Sequence, residues 1–418
     1  MERIKKLMRI FFHILFLLIF AKTSQAKIIH VGKQQVFKTI SLAIQGSSNG
    51  DTVVVEYGVY HEKNIVINKS IYLIGSNHPV LDGDHQFEII SIKADDVVVD
   101  GFKIAHSGIS SIEDFAGIKI YNRRNVIIRN NILEDTFFGI YTQYGINCLI
   151  EKNSLISYKT EEQQSGNGIH CWKCDSMKII DNTVSGHRDG IYFEFVTNSI
   201  IWRNKSTKNL RYGLHFMFSN NDAYISNIFE NNGAGVAVMF SKNVKMFHNY
   251  FEQNWGDGAY GLLLKEISDS YIDNNKFEKN TIGIHMEGAS RIEMNKNLFK
   301  GNGWALKIQA SCMDIALTNN NFMNNTFDVG TNGSLVLNTF NNNYWDKYEG
   351  YDLNKDKIGD IPYRPVSMYS MIIEQNPSAM ILFRSFMTTL LDKTEKILPS
   401  LTPENLKDNQ PLMKSLPL

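Results

Sequence analysis

The chain has 418 residues, with 43 basic and 43 acidic side chains and a formal net charge of zero. No basic tract marks a nucleic-acid surface, and four cysteines are too few for a disulfide scaffold at this length. Only 8 prolines and no low-complexity linker argue against a string of separate domains.

In chain order, MERIKKLMRIFFHILFLLIFAKTSQA comes first: a basic start, an apolar run over residues 10–21, and small residues at Ser24 and Ala26. This pattern predicts a secretory signal peptide over residues 1–26, cleaved after Ala26. A retained anchor is the competing reading, although the apolar run is short for a span. Nothing after it is apolar enough to cross a bilayer, so the mature chain is expected to be exported, or held at a membrane by a partner.

The stretch FKTISLAIQGSSNGDTVVVEYGVY predicts a short capping helix followed by the first strands. INKSIYLIGSNHPVLDG and IKADDVVVDGFKIAHSG then add irregular coils. This opening resembles that of pectate-lyase-type β-helix proteins, which implies architecture only.

From Gly117 a repeat with a fixed register begins. GIKIYNRRNVIIRNN is followed by equivalents at Gly139, Gly168, Gly190, Gly213, Gly235, Gly261 and Gly283, at intervals of 22, 29, 22, 23, 22, 26 and 22. Fourteen residues after each glycine stands an asparagine: Asn131, Asn153, Asn182, Asn204, Asn227, Asn249, Asn275 and Asn297. The longer intervals therefore place their extra residues after the asparagine, at one corner. A ninth coil starts at Ala305 with its register slipped by one. Short alternating strands at this period predict an all-β fold, a single-stranded right-handed parallel β-helix over residues 27–345 with an N-terminal cap. The asparagines should bond one another at the turn, and Phe229, Phe251, Phe277 and Phe299 should stack inside.

In the strand after each glycine, the second and fourth following residues point out of the coil. Successive outward pairs are Lys119/Tyr121, Tyr141/Gln143, His170/Trp172, Tyr192/Glu194, His215/Met217, Ala237/Met239, Leu263/Lys265, His285/Glu287 and Lys307/Gln309. Imidazole and thioether together suit copper, above all Cu(I). His215, Met217 and Met239, with His170 as a peripheral ligand, are therefore the candidate transient copper ligands in an open, shallow site. A plain protein contact patch is the competing reading for the methionines. A polysaccharide lyase, hydrolase or epimerase is the alternative for the whole face. Against it, the face offers only Glu194 and Glu287, four coils apart, where glycoside chemistry needs facing carboxyls. His187, Arg188 and Asp189 could supply a base and a cation but precede a glycine, in a turn. Cys171 should point inward, and Cys174 lies at the corner; neither is assigned to the site.

Residues 346–418 change character. Asp352, Asn354, Asp356 and Asp360 resemble half of a calcium loop over 352–360, but Lys357 replaces the expected glycine and Tyr363 the closing acid, which favours a tight polar turn. Phe383, Phe386, Met387, Leu390 and Leu391 recur at helical spacing and predict an amphipathic helix for partner docking. The closing segment, SLTPENLKDNQPLMKSLPL, reads as an extended docking tail.

GIYFEFVTNS, NLRYGLHFMFSNND and NGAGVAVMFS, together with NYWDKYEGYDLNKDKIGDIPYRP and the helix and tail after it, resemble the NosD family of periplasmic accessory proteins. The resemblance runs from the first coils to the C-terminus. It implies a non-catalytic factor of the periplasm that supports maturation of the copper centre of nitrous oxide reductase. It also implies partners: an ABC-type permease and ATPase, a copper-carrying lipoprotein chaperone, and the reductase apoenzyme, with membrane contact only through the permease. The CWKC at Cys171–Cys174 departs from the family's pattern, and no role passes to it.

Overall fold

The computed structural model describes residues 26–110, 112–333, 337–383, 385–397 and 406–418. The signal-peptide expectation, apart from Ala26, lies outside the described residues.

Short strands run in repeating triplets from Ile28–Val31 to Tyr344–Trp345 and build three parallel sheets of 14, 12 and 13 strands. The coil at Gly213 is typical: Tyr212–Met217 joins the 12-stranded sheet, Ala223–Ile225 the 14-stranded and Ile228–Glu230 the 13-stranded. The chain is thus a right-handed parallel β-helix.

Two local features make the corners. The residue before each ladder asparagine takes the left-handed conformation, as at Arg203 (φ 55°), Ser226 (φ 54°) and His248 (φ 55°). That bend carries the chain from one sheet to the next, at a cost that the following asparagine offsets by hydrogen bonding. Each repeat glycine sits where neighbouring coils touch: a Cβ on Gly213 would lie 2.8 Å from the carbonyl oxygen of Gly235. This close approach is why the repeat is phased on glycine.

The asparagine ladder forms as expected. Asn204 donates from its backbone N–H (2.9 Å) and side-chain amide (3.0 Å) to Asn227 Oδ1, and Asn227 does the same to Asn249. The series extends through Asn320 and Asn343, the extra residue of the ninth coil falling before Ile315, which pairs with Ile292. Inside, Phe229, Phe251, Phe277, Phe299, Phe322 and Trp345 stack with centroid spacings of 5.4, 4.6, 5.0, 4.8 and 4.0 Å. A second ladder through Asn209, Asn232, Asn254, Asn280, Asn302 and Asn325 lines the corner before the glycines.

Both ends of the core are covered. Helix α1 (Ile40–Gly46), capped by Thr39 accepting from the Leu42 N–H, buries Ile40, Ala43 and Ile44 over the first coils. At the other end the expected extended docking tail is corrected for residues 406–418, which fold back onto the solenoid. Leu406 is buried, and Asp408 Oδ2 takes the place of the next ladder asparagine, accepting from Asn343 N (3.0 Å), Asn343 Nδ2 (2.9 Å) and Trp345 Nε1 (3.1 Å). Leu416 exchanges hydrogen bonds with Asn321. A solenoid leaves its last rung unpaired, so this segment acts as a cap.

Two further helices lie against the last coils, α2 (Met368–Gln375) and α3 (Phe386–Ile397). Tyr369 and Ile373 of α2 pack with Ile282, Trp304 and Phe327, and Leu391 of α3 joins them. The expected single docking face is corrected here: Leu391 turns inward, while Phe386, Met387 and Leu390 are exposed. Phe383 lies beside Phe327, with ring centroids 6.2 Å apart. In the 352–360 loop the carboxylates accept from backbone amides, Asp352 from Asp356 and Lys357, Asp356 from Ile358, and Asp360 from Leu353. That is the bonding of a tight polar turn.

Candidate functional site

The 12-stranded sheet holds the outward columns in the expected register. Tyr141, His170, Tyr192, His215 and Ala237 form one column, and Gln143, Trp172, Glu194, Met217 and Met239 form the next. Met239 therefore stands one rung from Met217, with Glu194 one rung the other way, and Tyr192 separates His170 from His215. Neighbouring rungs are about 4.8 Å apart.

The histidine column is not open to solvent, which corrects the expectation of an open, shallow site. His170 is 9% exposed and His215 6%. Both leave the coil outward, but the aromatic side chains of the same face close over them. The ring centroid of Tyr192 lies 4.7 Å from that of His170 and 4.8 Å from that of His215, and Tyr212 covers His215 at 4.7 Å. Met217 and Met239 remain half-buried at the rim.

The hydrogen bonds give each imidazole one committed and one free nitrogen. Nδ1 of His215 faces Asp189 Oδ2 at 3.4 Å, and Nδ1 of His170 faces the Asn167 amide at 3.1 Å. The Nε2 atoms of both rings are buried with no protein hydrogen-bond partner among the described residues. In His215 the Nδ1–H donates to the carboxylate, which leaves Nε2 as an available lone pair; in His170 Nδ1 accepts from the Asn167 amide, whose Oδ1 accepts from Arg188, so the buried Nε2 carries the hydrogen. The Tyr192 hydroxyl, between the two rings, donates to Met217 Sδ at 3.7 Å. Around Tyr192 the fold thus gathers His170, His215 and Met217, with Met239 on the adjoining strand.

Sequence reasoning missed three participants. Asp189 lies in the turn before Gly190, as expected, but its carboxylate is fully buried against His215, with Tyr212 N–H donating to it at 3.3 Å and Arg211 Nε 3.9 Å away. Tyr192 was legible as an aromatic residue of this face, though not as its cover, and Tyr212, which precedes Gly213, lay outside the outward columns. Burial, with Glu194 and Asp189 nearby, pushes the Tyr192 phenol up to about 12, so it stays a neutral donor. Cys171 and Cys174 are buried free thiols on the inner side, and the Gly145 N–H donates to Cys174 Sγ at 3.3 Å. Burial holds Cys171 well above the usual thiol range.

Burial holds His170 neutral, its pKa down at about 3, with the Arg188 charge acting in the same direction. Burial likewise lowers His187 to about 4, and neither of its ring nitrogens has a partner among the described residues. A histidine depressed in the folded state contributes stability that is full above the unfolded value near 6.5 and drains as pH falls toward the folded value. His187→Leu, which removes an imidazole that nothing bonds, should therefore flatten the acid side of the stability curve. The variant's stability relative to the parent protein should be about 3 kcal/mol more favourable at pH 4 than at pH 7. Denaturant midpoints at several pH values check this; parallel curves for the two proteins would refute it.

Residues 146–350 match the family model described as "Periplasmic copper-binding protein (NosD)". A Stutzerimonas stutzeri protein named "Probable ABC transporter binding protein NosD" is 24% identical, spanning 95% of this chain and 93% of its own. A Pseudomonas aeruginosa protein of the same name is 26% identical, spanning 84% and 86%. Among solved structures, the A-module of the Azotobacter vinelandii mannuronan C-5 epimerase AlgE6 superposes with a TM-score of 0.51 over 73% of this chain and 89% of that one, at 15% identity. Identity at that level speaks to the fold alone.

Proposed function

Because the chain is a NosD-type protein, we propose that it is a non-catalytic periplasmic factor that carries copper toward nitrous oxide reductase in company with an ABC transporter. The observation that carries this reading is the outward His215 imidazole, whose unpartnered Nε2 is a lone pair, beside the Met217 and Met239 thioethers. Soft and borderline donors of this kind hold Cu(I) well and calcium or magnesium poorly. Copper is cargo here. The half-buried thioethers form the accessible rim, His215 offers Nε2 once Tyr212 gives way, and His170 lies farther along the same column. Partners follow from the family: permease and ATPase subunits, a copper-carrying lipoprotein, and the reductase apoenzyme. The exposed Phe386, Met387 and Leu390 of α3, with Phe383, are the docking candidates for the permease.

One observation favours an enzyme instead, since Asp189, His215 and Tyr192 together resemble an acid–base set. It weighs less than the copper reading because His215 and Asp189 are 6% and 0% exposed, leaving no room for a sugar ring at the imidazole.

Titrating Cu(I) into the mature chain under reducing conditions, with and without reductase apoprotein, tests the proposal. Weak binding alone and tighter binding with the client are expected, with no product from uronate polymers. Absence of Cu(I) binding in both settings sinks the copper reading. Cleavage or epimerisation that Asp189→Asn abolishes would replace it with the enzyme.

A further inference from the structure

A second donor cluster lies far from the thioether rim, on the corner of the first coils. The paired strands Val59–Tyr60, Val80–Asp82 and Lys103–Ala105 bring His61, Asp82 with Asp84, and His106 together from three consecutive coils. His61 Nδ1 lies 2.9 and 3.1 Å from the two carboxylate oxygens of Asp84. His106 Nδ1 lies 3.1 and 3.0 Å from those of Asp82. One ligand atom each from His61, Asp82 and Asp84 fall within 4.8 Å of one another.

Two ligands on one tetrahedral zinc, each at about 2.0–2.1 Å, stand about 3.3 Å apart. The His61–Asp84 separations are already at that scale, and the Asp82 oxygen lies within 4.8 Å of both. The side chains are 53% exposed at His61 and 44% at Asp84, so they are free to turn and a cation can reach them. Asp82 is more enclosed, at 19%. The Asp84 N–H donates to Asp82 Oδ1 at 2.9 Å, and His106 Nδ1 faces both Asp82 oxygens from the other side. Asp82 is therefore a carboxylate oriented from behind by an imidazole, the outer support that metal-bound carboxylates need.

We propose that His61, Asp82 and Asp84, with His106 supporting Asp82, form a site for one divalent cation of the zinc class. Imidazole with two carboxylates suits Zn2+ and similar borderline ions, and it is a poor set for Cu(I). The site is thus separate in chemistry as well as place from the methionine rim. A bound ion would tie two coils together beside the N-terminal cap, with the third braced through His106.

The test uses the mature chain, stripped with chelator and titrated calorimetrically with Zn2+ near pH 7. One site is expected, weakened at least tenfold in His61→Ala and in Asp84→Asn and unchanged in His248→Ala. Calcium at millimolar concentration should not displace the zinc. Zinc X-ray absorption of the loaded parent protein, which needs no variant to fold, should show nitrogen and oxygen neighbours and no sulfur. Unchanged affinity in both variants, displacement by calcium, sulfur in the first shell, or absence of binding would each overturn the proposal.

Discussion

Asn227→Ala should cost about 2–4 kcal/mol, from a buried N–H left unpaired at about 1–3 kcal/mol and further hydrogen bonds lost at about 1 kcal/mol or less. In the intact ladder Asn227 Oδ1 accepts from both the backbone and the side chain of Asn204, and its own amide donates to the Ile201 carbonyl at 2.9 Å. Alanine leaves the Asn204 N–H without its acceptor in a corner that is closed to water, while the Asn204 amide keeps the Ile179 carbonyl at 2.8 Å. It also removes the residue that makes the left-handed bend at Ser226 affordable. Because each coil contacts only its neighbours, the damage should be local at first. Amide exchange should quicken across residues 200–250 before the N-terminal coils respond, and the urea midpoint should fall. Asn221→Ala is the comparison: that asparagine is exposed and accepts one hydrogen bond from Asn243, but it takes the left-handed conformation (φ 61°), so its loss should cost about 1 kcal/mol. Equal midpoints for Asn227→Ala and the parent would mean that the ladder contributes order without stability.

How much could be read beforehand follows from which forces are periodic. The ladder and the phenylalanine stack recur once per coil, so spacing alone reveals them. The second ladder, Asn209 to Asn325, left a signal too, an asparagine shortly before most of the repeat glycines, masked by the abundance of asparagine in this chain. Alternation also gave the direction in which His170 and His215 leave the strand. It could not give their burial, which depends on lateral closure by Tyr192 and Tyr212 and so on rotamers across neighbouring rungs. Asp189 escaped for a related reason: a turn is easy to recognise, but the side to which it aims one carboxylate is not. The C-terminal cap was out of reach altogether. Asp408 meets Asn343 across 65 residues, with no repeat to announce the pairing. Leu391 shows the limit of helical spacing, since five apolar residues over three turns cover more than one face. The structure leaves four of them exposed and sets one, half-buried, against the cluster of Trp304, Phe327 and Tyr369.

Replacing Met217 and Met239 together with leucine should abolish copper delivery while leaving the fold intact. Leucine keeps the apolar volume, so the change in stability should stay below about 1.5 kcal/mol. The Tyr192 hydroxyl loses only a weak thioether acceptor at 3.7 Å. What disappears is both sulfur donors at the rim, the part of the site that a donor or client can reach. The imidazoles behind them are covered by Tyr192 and Tyr212 and cannot capture Cu(I) directly. Cu(I) affinity should therefore fall at least about tenfold, the effect of about 1.4 kcal/mol of lost ligation, and loading of the reductase should fall with it. His215→Gln should behave differently. It keeps the thioether rim and removes the nitrogen behind it, so capture should survive while retention weakens, which a competition titration against a Cu(I) chelator separates from lost capture. Co-purification with the transporter should be unchanged in both variants, because α3 and the last coils are untouched. Normal reductase loading by the double-leucine variant would leave the methionines as contact residues and move the copper path elsewhere on the solenoid.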